Sequence, residues 1–199
     1  MSLKTRFGNL GNILDFDNLT EEIIYVLDSP ILSNAQLKKF KSIFSKKVKV
    51  IDCVFNLNTS LKENIEKIKN TAEISVREGS TTLILSDKSI SSEKANIPMI
   101  LAVGAVHSHL VKLGLRGYCS INVETSETLD THSFAVLIGV GATTINPYLA
   151  IDSIFQRYEK KLFGKLSFDE CVERFKKSIE NGLLKIMSKM GISVLSAYR

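Results

Sequence analysis

The fold is decided by the stretch Thr81-Thr82-Leu83-Ile84-Leu85-Ser86-Asp87 and the two segments that follow it. This run is short, largely apolar and closed by polar residues, a pattern typical of a buried strand. Pro98 then starts a helix that continues to Lys112. Tyr118 to Val123 is a further apolar strand. Strand, helix and strand in this order predict a βαβ unit with parallel strands.

The same alternation continues on both sides of this unit. We predict an α/β domain with a mainly parallel sheet of about four to five strands built from βα units, with helices packed around it. The further predicted strands are Lys47–Phe55, Thr143–Ile145 and a last apolar run, Ile192–Leu195. The further predicted helices are 33–45, 61–78, Thr131–Ile138, Leu149–Phe163 and Phe168–Lys189, and capping-box sequences precede three of them at Ser33, Ser60 and Ser167.

Three segments are distinguished along the chain. Residues 1–3 are interpreted as a cloning remnant, and residues 4–30 as an irregular N-terminal arm rich in glycine and asparagine. Within that arm, Ile23–Leu27 could form a short strand. Residues 31–199 are interpreted as the α/β domain itself, which ends at the junction to a further unit.

Composition excludes several classes of protein. The 199 residues are 44% hydrophobic and 24% charged, which is typical of a globular chain. No apolar run is long enough to cross a membrane. The net charge of +5 comes from small lysine groups, and the chain has no Trp, so solvated helix faces are favoured over a nucleic-acid groove. The three scattered cysteines indicate reduced core thiols rather than disulfides or a zinc site.

The predicted strands end in polar residues that could form a ligand site. In parallel sheets, ligands bind beyond the carboxyl ends of the strands, and the residues at these ends are Asn56, Asp87, Glu124 and Asn146. Because strand ends also begin loops, which are polar in any case, both a functional rim and ordinary loop polarity remain open.

The three histidines are expected to have structural roles. His107 and His109 lie two positions apart on a helix, about 200° around its axis, so they cannot bind one metal ion together. His132 begins the next helix. Its closeness in sequence to Glu124 and Glu127 suggests a histidine–carboxylate contact. For each of the three histidines, a packed structural role is favoured over that of a ligand.

The helix that starts at Pro98 is apolar nearly all round, so it is expected to be buried. Its small residues Ala102, Gly104 and Ala105 suit close packing. Gly104→Leu is therefore expected to overpack the helix, at a cost of about 1–3 kcal/mol.

No sequence motif assigns an active site. Gly139-Val140-Gly141 resembles a dinucleotide-binding loop, but it follows a helix, and Thr144 stands where the last glycine should be. Nucleophile-elbow and phosphate-loop motifs are absent as well. The residues therefore assign no catalytic, cofactor-binding or metal-binding side chain.

A set of ordered motifs resembles the central domain of the large subunit of glutamate synthase, over about residues 30–199. These motifs are 83–87 (LILSD), 97–98 (IP), 105–110 (AVHSHL), 114–116 (GLR), 123–127 (VETSE), 132–135 (HSFA), 139–142 (GVGA), 146–150 (NPYLA) and 182–193 (GLLKIMSKMGIS). The chain departs from the family's usual pattern at Ser108, Ser126, Ser133 and Val140, which are single changes inside otherwise intact motifs.

This resemblance implies a role within a larger enzyme. Glutamate synthase transfers the amide nitrogen of glutamine to 2-oxoglutarate and reduces the adduct, giving two glutamates. The family's central domain lies between a glutamine amidotransferase domain and a barrel that binds FMN and carries an iron–sulfur cluster. It helps to shape the ammonia tunnel between them. The resemblance implies a cytoplasmic or plastid parent, and leaves the electron donor open between ferredoxin, NADH and NADPH.

Two functional interpretations follow. In the first, the chain is an excised linking domain that shapes the ammonia tunnel and is inactive alone, with no cofactor of its own. The residues that then form a structural or interface polar set are Asp87, His107, His109, Glu124, His132 and Asn146. Within this set the resemblance implies that the three histidines gather with Glu124 near the carboxyl end of the third strand, and that the carboxylate accepts a hydrogen bond from one of them. In the second, the chain is a free-standing, non-catalytic α/β module that binds another small ligand at the Asp87, Glu124 and Asn146 rim.

Overall fold

The computed structural model describes residues 1–9 and 24–198. Their central feature is a four-stranded parallel sheet, built from the strands β3 (Val48–Asp52), β5 (Thr82–Ser86), β7 (Ser120–Glu124) and β8 (Thr144–Asn146). The strands lie side by side in the order in which they occur along the chain. The α/β fold with a parallel sheet of βα units is therefore confirmed.

The remaining elements surround this sheet. Two short antiparallel pairs lie beside it: β1 (Thr5–Phe7) with β2 (Tyr25–Leu27), and β4 (Val54–Asn56) with β6 (Lys94–Asn96). The helices are α1 (Asn34–Ile43), α2 (Leu61–Arg77), α3 (Met99–Lys112), α4 (Thr131–Gly139), α5 (Tyr148–Glu159) and α6 (Phe168–Met190). None of the helices in the described residues is both long enough and apolar enough to span a membrane.

One face of the sheet carries the main hydrophobic core. Leu83 and Leu85 of β5 are in register with Ile121 and Val123 of β7, so these side chains share a face. They pack with the buried sides of α2, α3, α4 and α6 in one continuous cluster. Alternation of side chains along a strand then directs the intervening residues to the opposite face.

The opposite face of the sheet is mostly polar. The central strand β7 presents Ser120, Asn122 and Glu124 there, and β8 presents Thr144 and Asn146 in register with the last two. All five are buried. Burial of so many polar groups requires hydrogen-bond partners. The Asn122 amide group donates to Leu83 O at 3.0 Å and its oxygen accepts from Thr144 Oγ1 at 2.7 Å.

The N-terminal elements cover part of this polar face. Phe40 of α1 stacks on Phe7 of β1, with ring centroids 4.6 Å apart, and both belong to a second hydrophobic cluster around Ile84. Ile31 pairs in parallel with Ile145, which adds a single bridge beyond β8. The arm thus contains an antiparallel strand pair, and the strand predicted at Ile23–Leu27 is present as Tyr25–Leu27, while Ile23 lies outside the described residues.

Three local predictions were wrong. The strand predicted over Lys47–Phe55 is divided, because the chain leaves the parallel sheet at Cys53 and its continuation pairs with β6 instead. The Ser60 side chain makes no capping hydrogen bond, whereas both Ser33 and Ser167 form the predicted capping boxes. The run Ile192–Leu195 leads into a 3-10 turn and makes one bridge, between Val194 and Ser2.

The segment interpreted as a cloning remnant packs against the other end of the chain. Ser2 N donates to Ser193 O at 2.8 Å, and Leu195 N donates to Ser2 O at 3.1 Å. Leu3 is buried in the main core. Residues 1–3 are therefore part of the folded structure, whatever their origin.

Helix α3 is buried on one side only. Met99, Ala102, Val103, Val106 and Leu110 are buried, as expected, but Ile100 and Leu101 are 45% and 43% exposed. A Cβ added at Gly104 would lie 3.9 Å from Val140 Cβ, which is ordinary van der Waals contact. Gly104 is thus not the site of tight packing that the sequence predicted.

Gly104→Ala is expected to stabilise the protein by about 0.5–1 kcal/mol, because alanine favours a helix interior over glycine and its methyl group has room here. The urea midpoint of unfolding measures this gain. Gly182→Ala is the contrasting variant, since its Cβ would lie 2.5 Å from Thr131 Oγ1 and should destabilise. Equal effects of the two substitutions would contradict the packing described.

A candidate functional site at the carboxyl edge of the sheet

The ends of β5, β7 and β8 are joined by hydrogen bonds at the carboxyl edge of the sheet. Asp87 N donates to Glu124 O at 3.2 Å, and Thr125 N donates to Asn146 O at 3.0 Å. The structure thus brings together three residues of the predicted rim, Asp87, Glu124 and Asn146. They lie here because parallel strands present all their carboxyl ends to the same edge.

Asp87 is fully buried and its carboxylate organises the loop after β7. It accepts hydrogen bonds from Thr125 Oγ1 at 2.7 Å and from the Ser126 backbone and hydroxyl at 2.9 and 3.1 Å. Burial, followed by a hydrogen bond to Asp87, raises the pKa of the Tyr148 phenol to about 12. Asp87 is therefore an acceptor for several fixed donors rather than a free carboxylate.

Glu124 lies at this edge, and two lysines face its carboxylate. One of its oxygens accepts from Ser86 Oγ and from Lys41 Nζ, both at 3.0 Å, and Lys88 Nζ lies 3.7 Å from the other. The Lys88 ammonium also lies 5.4 Å from the centre of the Tyr148 ring. A carboxylate buried to this extent requires such hydrogen-bonding and positively charged partners.

Asn146 connects the end of β8 to the start of α1. Its amide group donates to Leu32 O and to Asn34 Oδ1, both at 2.9 Å. Beside it is a cleft of about 290 Å³, lined by Asn34, Leu37, Lys38, Lys41, Lys88, Glu124 and Asn146. This cleft is the candidate functional site.

Glu127 fixes the loop that borders this edge. Its carboxylate accepts from Met99 N at 2.9 Å and also bonds to the Asn96 amide. Helix α3 has no cap of its own at Pro98, so Glu127 supplies the capping group from the following βα loop. A carboxylate at this position also favours the positive end of the helix dipole.

The predicted polar set does not gather at one place. His109 Nε2 lies 2.8 Å from Glu73 Oε2 and joins α3 to α2. His107 Nδ1 accepts from Arg116 Nε at 3.1 Å. His132 is exposed at the start of α4. The expectation that Glu124 accepts from a histidine was wrong, because its carboxylate is held by Ser86 and the lysines.

Arg116 was missed by the sequence reasoning, and it organises the opposite edge of the sheet. Its guanidinium donates to Cys119 O at 2.6 Å and to Gly141 O at 3.0 Å, at the entries to β7 and β8. The planar fork of arginine suits several fixed carbonyl oxygens at once. His107 thus belongs to this amino-edge cluster, far along α3 from the candidate site.

The predicted rim needs two corrections. Asn56 lies at the end of β4 in the small antiparallel sheet, so Asp52 and not Asn56 ends the first parallel strand. Lys41 and Lys88 were missed, since nothing in the local sequence relates a lysine on α1 to a glutamate 83 residues later. Their only signal was the general excess of lysine.

The thiols of the chain do not fit an iron–sulfur cluster. All three cysteines are free and buried. Burial raises the pKa of the Cys53 thiol to about 12 and that of Cys119 to about 11, which disfavours the thiolate that metal binding needs. Within residues 1–9 and 24–198, no group of three His, Cys, Asp or Glu side chains is placed to hold a metal ion.

The stability of the protein is expected to fall as the pH rises from about 9 to 12. Unfolding lowers the pKa of Cys53, Cys119 and Tyr148 to ordinary values near 9 and 10, so the unfolded state loses these protons first. Melting temperatures at pH 8 and 10.5 measure the fall. The melting temperature of a Cys53→Ala, Cys119→Ala double variant should fall less steeply with pH. If it falls as steeply as that of the unsubstituted protein, the two thiols do not cause the loss of stability.

The fold and the carboxyl edge of the sheet together define a parallel α/β domain. Hydrogen bonds of buried side chains join the ends of its strands. The family model described as glutamate synthase central domain matches residues 1–199. The chain belongs to the glutamate synthase central-domain family.

Relatives with this segment are much longer proteins. The chain is 48% identical over 202 residues to the glutamate synthase [NADPH] large chain of Azospirillum brasilense, covering 100% of this chain and 13% of that protein. It is 40% identical over 215 residues to the chloroplastic ferredoxin-dependent glutamate synthase of Spinacia oleracea, again covering 100% and 13%. The chain thus spans about an eighth of the length of these relatives.

A more distant likeness concerns the fold alone. A solved structure of an L230A mutant flavocytochrome b2 with benzoylformate superposes with a TM-score of 0.50 at 16% identity. The match covers 83% of this chain and 37% of that one. It is consistent with an arrangement of successive βα units.

Proposed function

We propose that this chain is the linking domain of a glutamate synthase large chain, and that it shapes the passage through which ammonia travels between two active sites. The observation that carries the proposal is the carboxyl edge of the sheet. There the polar side chains of Asp87 and Asn146 bond to loops and backbone of the same domain, which suits a scaffold that holds neighbouring units in place.

The reaction proposed for the whole enzyme is that of glutamate synthase. The parent protein transfers the amide nitrogen of L-glutamine to 2-oxoglutarate and reduces the product, giving two L-glutamates. An amidotransferase domain and an FMN-binding domain with an iron–sulfur cluster, in the same polypeptide, supply the chemistry. Residues 31–199 are proposed as the central domain that meets both. The names of the relatives include either NADPH or ferredoxin. The electron donor therefore differs between relatives that share this segment.

A segment exchange tests this role. The matching segment of the Azospirillum brasilense large chain is replaced by residues 1–199, and glutamine consumed is compared with glutamate formed. We expect the hybrid enzyme to form glutamate with the same ratio as its parent. A hybrid that folds and hydrolyses glutamine but releases the ammonia into solution would refute the tunnel-shaping role.

The isolated chain provides the complementary measurement. Purified residues 1–199 are expected to bind no flavin and to form no glutamate from glutamine and 2-oxoglutarate, because the described residues hold no group of metal ligands, and because the resemblance places the amidotransferase nucleophile and the flavin contacts in other domains of the parent protein. A yellow preparation with stoichiometric flavin would overturn this expectation. The control is the hybrid enzyme, in which the same segment supports activity.

The second interpretation, a free-standing module that binds a small ligand, is favoured by one observation. The cleft of about 290 Å³ lies beside Glu124 and Asn146, at the edge where parallel sheets place their ligands. The segment exchange separates the two roles, since a module that evolved apart from the enzyme would not support ammonia transfer in the hybrid.

A further inference from the structure

The cleft at the carboxyl edge is lined by more positive than negative charge. Among the described residues, Lys38 and Lys41 of α1 and Lys88 of the loop after β5 line it, against one carboxylate, that of Glu124. These four side chains leave two positive charges in excess. Two further carboxylates belong to this rim but do not line the cleft: Asp87 is buried and accepts from Thr125 and Ser126, and Asp152 accepts from the Asn34 amide at 3.2 Å.

Helix α1 places its polar groups toward the cleft by its periodicity. Asn34, Lys38 and Lys41 are four and three residues apart, so they follow one face of the helix. Lys39 is on another face and lines a different groove, together with Tyr25 and Phe40. Of these two neighbouring lysines of α1, Lys38 therefore lines the cleft and Lys39 lies outside it.

Glu124 fixes this arrangement without using all the available donors. One ammonium group carries three N–H donors. Lys41 donates to Glu124 at 3.0 Å, and Lys88 lies 3.7 Å from it, beyond ordinary hydrogen-bond distance. Donors of both lysines therefore remain for a second acceptor in the cleft, and Lys38 adds its own.

We propose that this cleft binds a small, doubly charged oxyanion, a dicarboxylate or a phosphate, between Lys38, Lys41 and Lys88. The charge of such an anion balances the excess in the cleft, and its oxygens accept charge-assisted hydrogen bonds from the ammonium groups. The volume suits a molecule of a few non-hydrogen atoms. The site does not depend on the linking role proposed above, so either proposal can fail alone.

Titration of the purified 199-residue chain tests the site. Inorganic phosphate, succinate and acetate are added at constant ionic strength, and binding is followed by NMR at the Asn34 and Asn146 side-chain amides. Phosphate or succinate should saturate these shifts, and acetate should bind several-fold more weakly. Succinate tighter than phosphate identifies a dicarboxylate site, and the reverse identifies a phosphate site. Absence of saturation with both dianions, or equal binding of acetate, would overturn the proposal.

A pair of neighbouring substitutions supplies the control. Lys38→Gln should weaken binding roughly fivefold or more, whereas Lys39→Gln, with the same change in net charge on the same helix, should change it less than twofold. Both lysines are exposed, so neither variant should impair folding. If the two variants weaken anion binding equally, the binding is a general attraction of anions to a basic protein, and the proposed site is refuted.

Discussion

Asp87→Asn is expected to lower the free energy of unfolding by about 2–4 kcal/mol, the largest effect of a single polar substitution that we anticipate. The buried carboxylate accepts from Thr125 Oγ1 and from both the backbone and hydroxyl of Ser126. All three donors bond to Oδ2, and Oδ1 also accepts from Ser126 N at 3.1 Å. In asparagine an NH₂ group replaces one of the two oxygens and faces a donor, and the negative charge that strengthens the remaining bonds is lost. The loop between β7 and α4 should then loosen.

Urea unfolding measures this loss, and Asp52→Asn is the matched control. Asp52 is exposed at the end of β3 and accepts from Val54 N at 3.2 Å and Ser89 Oγ at 2.6 Å. Water can replace these partners, so its substitution should cost less than about 1 kcal/mol. If the two variants unfold at the same urea concentration, the buried network of Asp87 does not hold the edge together.

Gly141→Ala is expected to destabilise the protein by about 3–5 kcal/mol, from backbone strain and a steric overlap together. The φ angle of Gly141 is +122°, a region that residues with a side chain rarely adopt. A Cβ there would lie 2.8 Å from His107 Cβ and would also overlap the imidazole ring. Either the ring or the turn before β8 must shift, and Arg116 holds both.

Two further variants separate strain from overlap. Gly79 also has a positive φ, +96°, but nothing lies within 4 Å of the Cβ position. Gly79→Ala should therefore cost only the strain, about 1–2 kcal/mol. Adding His107→Ala to Gly141→Ala should recover part of the loss, since it removes the ring but leaves its Cβ. If the double variant regains no stability and Gly79→Ala costs as much as Gly141→Ala, the whole loss at Gly141 comes from backbone strain.

The order of strands and helices could be predicted because each element depends mainly on residues close to one another in sequence. Buried strands such as Leu83–Leu85 and the spacing of apolar residues in α6 are patterns within a few turns of chain. Capping at Ser33 and Ser167 depends on residues three positions apart, and it was predicted correctly. The rim of Asp87, Glu124 and Asn146 followed from the fold, since parallel strands end at one edge.

The partners of the rim residues could not be predicted, because they come from distant parts of the sequence. Lys41 meets Glu124 across 83 positions, and His109 meets Glu73 across 36. Sequence proximity instead suggested a histidine for Glu124. The wrong glycine was chosen for the same reason. Gly104 belongs to a row of small residues close in sequence, whereas the tight contacts are those of Gly182 with Thr131 and of Gly141 with His107.

Docking of α1 onto the end of β8 has a consequence for synthesis of the chain. Leu32 and Asn34 bond to Asn146, which is translated 114 and 112 residues after them. At a synthesis rate of about 5–20 residues per second, the ribosome adds Asn146 roughly 6–22 s after Asn34 of α1. Each successive βα unit can meanwhile pack on the one before it. Helix α1 is therefore made well before the sheet is complete, and the cleft beside it forms only when β8 has been added to that sheet.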